Sequence, residues 1–217
     1  MYKLQSEKKN NQPLSGGLFS ALQKDILVGN IKPGEKLTEQ SICDEYKVSR
    51  TPVREALRQL EKDGLIENIP NRGAFVIGFS DQDIADMYEL RSAYEIQAVK
   101  WAIERITDEE LSKLEETFEF MEFYTHKNDF EKMCSINTNF HELIYEAAHN
   151  RMLKQILSSF LLYIRHIRKQ PEDTKEYLFT VLEEHKKIFE AFKTHDVEAG
   201  IRAMQEHMHH SRQRATV

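Results

Sequence analysis

Two sets of side chains in this sequence are spaced for chemistry, arginines toward the amino end and histidines toward the carboxyl end. Arg50, Arg54 and Arg58 recur every four residues. On a helix each lies about 40° round from the last, so all three share a face. Val53, Ala56, Leu57 and Leu60 fall on the opposite side. A rod with an apolar back and a guanidinium front suits the major groove of DNA, where arginine donates to phosphate oxygens or to guanine O6 and N7. The plain alternative is a solvated charged stripe, which is what most such faces are.

In the second set, Asn137 and His141 lie four apart in CSINTNFHELIYEAAHN and project from one helix face, among Ile136, Phe140, Leu143, Ile144 and Ala147. His185 in LEEHKKIFEAF and His207 in IRAMQEHMHH each lie near the apolar stripe of a separate predicted helix. Three imidazoles and an amide oxygen that meet inside a bundle make a site for a borderline divalent metal. Taken singly, each is an ordinary core or surface residue, and spacing alone does not bring distant helices together. His209 and His210 read as solvent-facing neighbours near the end of the last helix. Arg91 stands in IADMYELRSAYEIQAVKWAIE, a helix apolar on most sides. A buried guanidinium needs an acceptor, supplied either by Glu95 at i+4 or by the carboxylate of a bound molecule.

These residues need rigid elements to present them. Thr38 can cap a helix over 39 to 46, Lys47-Val48 forms a turn, and Ser49 can cap a second helix with Pro52 in its first turn. Asp63-Gly64 ends that helix. Leu65 to Ile69 and Ala74 to Ile77 then alternate about Pro70-Asn71-Arg72-Gly73, which predicts a β-hairpin. Together these make a winged helix-turn-helix. After a short linker near Gly78-Phe79-Ser80, helices are expected over 81 to 105, 108 to 126, 129 to 148, 151 to 169, 174 to 194 and 196 to 213, with Ser80 and the Thr107/Glu110 capping-box pair marking two of the starts. No strand pattern appears there. The fold class is therefore mainly α, an N-terminal winged helix-turn-helix over 10–78 followed by an all-α antiparallel helical bundle over 80–214.

Charge divides along the same line. Residues 1 to 78 hold 12 Lys plus Arg against 10 Asp plus Glu, net +2, and the remainder holds 18 against 26, net −8. An acidic body is repelled by phosphate, so DNA meets one end only. No run approaches the ~18 apolar residues of a membrane helix, and MYKLQSEKKNNQP has no apolar leader core, so the chain is expected to be soluble and cytoplasmic, with no membrane partner. Cys43 and Cys134 form no disulfide framework and read as small buried residues.

The stretch PGEKL, VSRTPVREAL, DGLI and NRGAFV resembles the DNA-binding domain of the GntR family of bacterial transcription regulators. That resemblance implies a homodimeric repressor or activator on an inverted-repeat operator in double-stranded DNA, with Ser49, Arg50, Thr51, Arg54, Arg58, Arg72 and Gly73 near the duplex. Gln40 stands where some members carry a basic contact residue. Residues 80 to 210 resemble the FCD sensor domain of the FadR subfamily. This implies a divalent metal, Zn or Ni, on Asn137, His141, His185 and His207, with Asn137 departing from the usual aspartate. It also implies a small organic acid as effector, with Arg91 as its carboxylate grip.

Two other functions fit parts of the sequence. A metal-dependent hydrolase could be built on the bundle, yet HELIY carries Tyr145 where a zinc protease needs its second histidine, and no phosphate loop, dinucleotide fingerprint or nucleophile elbow is present. A DNA-binding protein whose bundle only dimerises would leave the buried histidines unexplained. The expected function is a sequence-specific transcription regulator, a repressor controlled by effector and metal, and not an enzyme.

Overall fold

The computed structural model describes residues 14–70, 72–167 and 171–215. The expected reader boundary at residue 10, Asn71 of the wing turn and the last two residues of the helix expected over 151–169 lie outside the described residues. The chain clusters into two compact units, Met1–Phe79 and Ser80–Val217.

In the first unit α1 (Leu14–Leu27) leads into the two-residue strand β1 (Lys36–Leu37), α2 (Glu39–Tyr46), α3 (Arg50–Lys62), β2 (Ile66–Ile69) and β3 (Gly73–Val76). The three strands form an antiparallel sheet in the order β1-β3-β2, with Lys36 opposite Phe75 and Ile66 opposite Val76. Neither α1 nor β1 was expected from the sequence. Leu18, Leu22 and Ile26 recur at helical spacing and bury one face of α1 in a core with Ile42, Val53, Ala56, Leu60 and Leu65. Thr38 caps α2 by accepting from the Ser41 amide, and Lys47 closes it in the left-handed region at φ 57°. Ser49 stands at the N-cap of α3 in extended backbone, but its side chain makes no capping hydrogen bond, which leaves the hydroxyl for other work. Leu57, expected in the core, is only half-buried. Leu60 is fully buried. Leu60→Ala is therefore expected to cost about 2–5 kcal/mol, read as a fall in the thermal or denaturant midpoint of this unit. A cost below about 1 kcal/mol would contradict its place at the centre of the reader's core.

The second unit is built from α4 (Asp81–Arg105), α5 (Asp108–His126), α6 (Phe130–Ala147), α7 (Arg151–Ile167), α8 (Thr174–Lys193) and α9 (Val197–Ala215), and its described residues contain no strand. Ser80 with Asp83, and Thr107 with Glu110, form reciprocal capping boxes at the starts of α4 and α5. The α4 helix packs on α6, α7 and α9, while α8 packs on α5 and α9. Near Gly200 of α9 the approach to α4 is so close that a Cβ would lie 2.3 Å from Ile103 Cδ1. This packing surrounds one apolar core that runs from Met87 to Met208. Both cysteines are half-buried rather than enclosed.

Candidate functional site

The helix α3 turns Arg50, Thr51, Arg54 and Arg58 outward and buries Val53, Ala56 and Leu60 behind them. The guanidiniums do not stand alone. Arg54 Nε donates to Glu39 Oε1 at 2.7 Å, and Arg50 Nη2 reaches Gln40 Oε1 at 3.4 Å, both acceptors lying in the first turn of α2. On the wing, the Arg72 and Lys36 cations stand 5.5 and 5.9 Å from the Phe75 ring centroid. Gly73, at φ +98°, begins β3 where a Cβ would lie 3.0 Å from Lys36 Cε. A cleft of ≈ 490 Å³ between α3 and the wing is lined by Lys36, Thr38, Glu39, Arg54, Arg58, Asn68, Arg72 and Gly73 among others. Ser49 lies at the exposed start of α3. Lys36 and Glu39 were not singled out from the sequence. Their contacts join residues far apart in the chain, beyond the reach of any periodicity.

Inside the bundle, α6, α8 and α9 bring His141, His185 and His207 together, with one ligand atom from each within 4.8 Å of the others. The ring centroids lie 5.3 Å apart for His141 and His185, 5.2 Å for His141 and His207, and 4.5 Å for His185 and His207. All three rings are buried, as is Asn137, one turn before His141 on α6. The bundle thus joins residues that the sequence leaves up to 66 positions apart.

Each imidazole is held through Nδ1. His141 Nδ1 lies 3.3 Å from Glu95 Oε2, His185 Nδ1 lies 2.7 Å from the Val181 carbonyl, and His207 Nδ1 lies 2.8 Å from Glu184 Oε2. These partners only accept, so the proton sits on Nδ1, and Nε2 is the atom each ring can offer to an ion. His141 Nε2 is buried with no hydrogen-bond partner among the described residues. A buried, unsatisfied nitrogen is costly unless something binds it, and an imidazole fixed from behind by a carboxylate or a carbonyl is the usual form of a metal-ligating histidine. Nitrogens at about 2.0–2.1 Å from a tetrahedral Zn lie roughly 3.4 Å apart, so inward rotation of the rings would close the set on an ion. The donor set fits a divalent ion.

Electrostatics keeps these groups ready. Burial drives the His207 imidazole down to about 4, only partly opposed by Glu184, so the ring is neutral near pH 7. Burial raises the Glu184 carboxyl, but Arg214 and His207 more than offset this and bring it to about 2. Arg214 grips both Glu184 oxygens, at 2.8 and 2.7 Å, while His210 Nδ1 lies 2.9 Å from Oε1. His210, its side chain still 39% exposed, therefore faces solvent and also reaches the site's outer layer, a contact the sequence does not suggest, while His209 is exposed as expected.

Arg91 is fully buried and paired with Glu95, its Nε at 3.0 Å and Nη2 at 2.8 Å from Oε1. Tyr145 donates to the same oxygen at 2.5 Å. Burial alone would raise the Glu95 carboxyl, yet His141, Arg91 and Tyr145 hold it well below the usual carboxylate range. Burial pulls at Arg91 too, and the Glu95 charge outweighs it, so the guanidinium stays protonated. Of the two acceptors open to Arg91 in the sequence, the structure has the intrahelical one. Tyr145, which breaks the protease-like motif, serves as a donor to the carboxylate behind His141.

Residues 14–76 match the family model for bacterial regulatory proteins of the gntR family, and residues 86–210 match the FCD domain. The chain belongs to the GntR family and carries an FCD domain. It is 33% identical over 88% of its length to the uncharacterized HTH-type transcriptional regulator YdhC of Bacillus subtilis, covering 86% of that protein. It is 26% identical over 94% of its length to the HTH-type transcriptional repressor RspR of Escherichia coli, covering 90% of that protein. The solved structure of E. coli McbR/YncC shares the fold at a TM-score of 0.68 with 22% identity, over 92% of this chain and 95% of that one. This GntR-family protein is a DNA-binding transcription regulator with an effector-binding domain. The hydrolase alternative falls with that assignment, since both halves match regulator families. No helix among the described residues is long and apolar enough to cross a membrane.

Proposed function

We propose that the protein is a cytoplasmic repressor that binds an inverted-repeat operator as a homodimer and is controlled through its helical bundle. The observation that carries this reading is the row of exposed arginines on α3 beside a basic wing. Ser49, Arg50, Thr51, Arg54 and Arg58 would face the major groove, with Arg72 and Gly73 against the backbone. A two-fold operator requires two readers at a fixed spacing, which a symmetric dimer supplies. The relative named as a repressor supports repression over activation.

In the bundle, His141, His185 and His207 would hold Zn or Ni, with the Asn137 amide oxygen as a fourth ligand. Such an ion supplies a Lewis-acidic anchor for the carboxylate of a small organic acid. A carboxylate that reaches Arg91 must take the place of Glu95, so effector binding would alter the contacts between α4 and α6. Only a difference in effector affinity between the DNA-competent and released states can drive regulation.

Selection of bound DNA fragments, followed by a screen of small organic acids for release, tests the whole reading. Arg54→Ala is expected to weaken binding to the selected operator by about 1–3 kcal/mol. Unchanged binding at physiological salt would remove α3 from the groove, and turnover of an added acid would contradict regulation outright.

A further inference from the structure

We infer that Glu39 is a positioning residue for DNA readout, which grips Arg54 through Nε and so presents the two terminal amino groups as a preset fork for one guanine. This rests on the reading that α3 enters the major groove. The two side chains lie fifteen positions apart in sequence, on α2 and α3, and meet at 2.7 Å with 62% and 34% of their side chains exposed. The Arg54 guanidinium makes no other hydrogen bond among the described residues. The charge-assisted bond to Arg54 holds the Glu39 carboxyl below its ordinary value, so the carboxylate is charged wherever the protein works.

Stability does not account for the pair. An ion pair this exposed contributes little to folding. Nor does affinity, because the cleft is lined by four cations, Lys36, Arg54, Arg58 and Arg72, against Glu61 as its one other acid, and the Glu39 carboxylate opposes the phosphate attraction that drives binding to any sequence. What the carboxylate does supply is orientation. A free arginine has several rotatable bonds to order when it docks, and that cost is lowered when one nitrogen is already pinned. Pinning at Nε, rather than at a terminal nitrogen, leaves intact the planar pair of donors that matches guanine O6 and N7. Arg50 is held differently, by its terminal Nη2 and a neutral amide at 3.4 Å, so it lacks the same fork. Glu39 thus exchanges general attraction for choice of base.

The test uses the full chain and the operator recovered by selection, with each base pair of the half-site replaced in turn and a random duplex as competitor. Arg54→Ala should lower discrimination at one G·C pair by roughly 10-fold or more. Glu39→Ala should lower it at that same pair by roughly 3-fold or more, while binding to random duplex tightens by about 2-fold and becomes more salt-dependent. Combined with Arg54→Ala, it should cost no further discrimination. Glu39→Asp keeps the charge and the helix start but withdraws the oxygen, so discrimination should fall with random-duplex binding unchanged. This variant also decides the matter if the alanine form folds poorly. If Glu39→Ala changes all sequences alike, with base preference intact, the carboxylate only adjusts charge and the inference is overturned. If Arg54→Ala itself leaves base preference intact, the groove reading fails instead, and the two failures are thereby distinguished.

Discussion

Replacement of Glu95 by alanine is expected to destabilise the helical bundle by about 3–5 kcal/mol. The Glu95 and Arg91 side chains are 0% and 1% exposed, so neither charge has water to fall back on. Glu95 accepts from Arg91 Nε and Nη2, from Tyr145 and from His141 Nδ1. Its removal strands a guanidinium that cannot shed its proton, together with a phenol and an imidazole N–H, in a low-dielectric interior. The pair itself need not be stabilising. Desolvation of two ions consumes most of their mutual attraction, so the double change Arg91→Met with Glu95→Leu should cost less than Glu95→Ala alone, the remaining loss coming from the Tyr145 hydroxyl and the His141 N–H that lose their acceptor. The single Trp101 lies on α4 with Arg91 and Glu95, so its fluorescence during denaturant unfolding reports this unit. A loss below about 1 kcal/mol for Glu95→Ala would contradict the account of a buried, mutually dependent ion pair.

The reader was legible because its signals are local. The four-residue recurrence of Arg50, Arg54 and Arg58, the cap at Thr38 and the alternation in the wing all lie within reach of one helix turn or one hairpin. The α1 helix escaped because Leu18, Leu22 and Ile26 offer a thin stripe beside the helix-weakening Gly16-Gly17. The strand β1, two residues long, is too short to show alternation, and only its pairing with β3 defines it. In the bundle, the apolar stripes and capping boxes fixed the helices to within about two residues. The histidines stood out because polar rings on apolar stripes are conspicuous. Their supports did not. Glu184 meets His207 across 23 residues and Arg214 across 30, and His185 is held by a backbone carbonyl, so no side-chain pattern encodes these contacts. The His210 contact with Glu184 is hidden for the same reason, since its partner lies on another helix. Arg91 is the intermediate case: both its intrahelical partner and its value to a ligand can be read, while the Tyr145 and His141 contacts that converge on the same carboxylate come from another helix and cannot.

On the proposal that the three imidazoles hold an ion, loss of any one of them should end metal retention. Zinc-type sites with three protein ligands hold the ion through the combined reach of all of them, and supporting contacts alone are commonly worth 10–100-fold in affinity. His141→Ala, His185→Ala or His207→Ala is therefore expected to lower Zn or Ni affinity by roughly 100-fold or more. His141 and His185 are wholly enclosed, so each alanine also opens a small cavity, and a melting measurement must accompany each titration to separate lost ligation from lost folding. Asn137 gives the sharper reading. It is buried one turn before His141, and its neutral oxygen binds a cation less tightly than a carboxylate. Asn137→Asp should tighten metal binding by about 10-fold without metal-free stabilisation, since an unpaired buried carboxylate is costly until the ion arrives. Asn137→Ala should weaken binding less than loss of a histidine. Metal content would be measured on protein purified without metal-affinity resin, before and after addition of Zn or Ni. A wild-type chain that retains and accepts neither ion, and an Asn137→Asp chain that behaves the same way, would reduce the three imidazoles to a packed polar core and leave Glu95 and Glu184 as its hydrogen-bond partners alone.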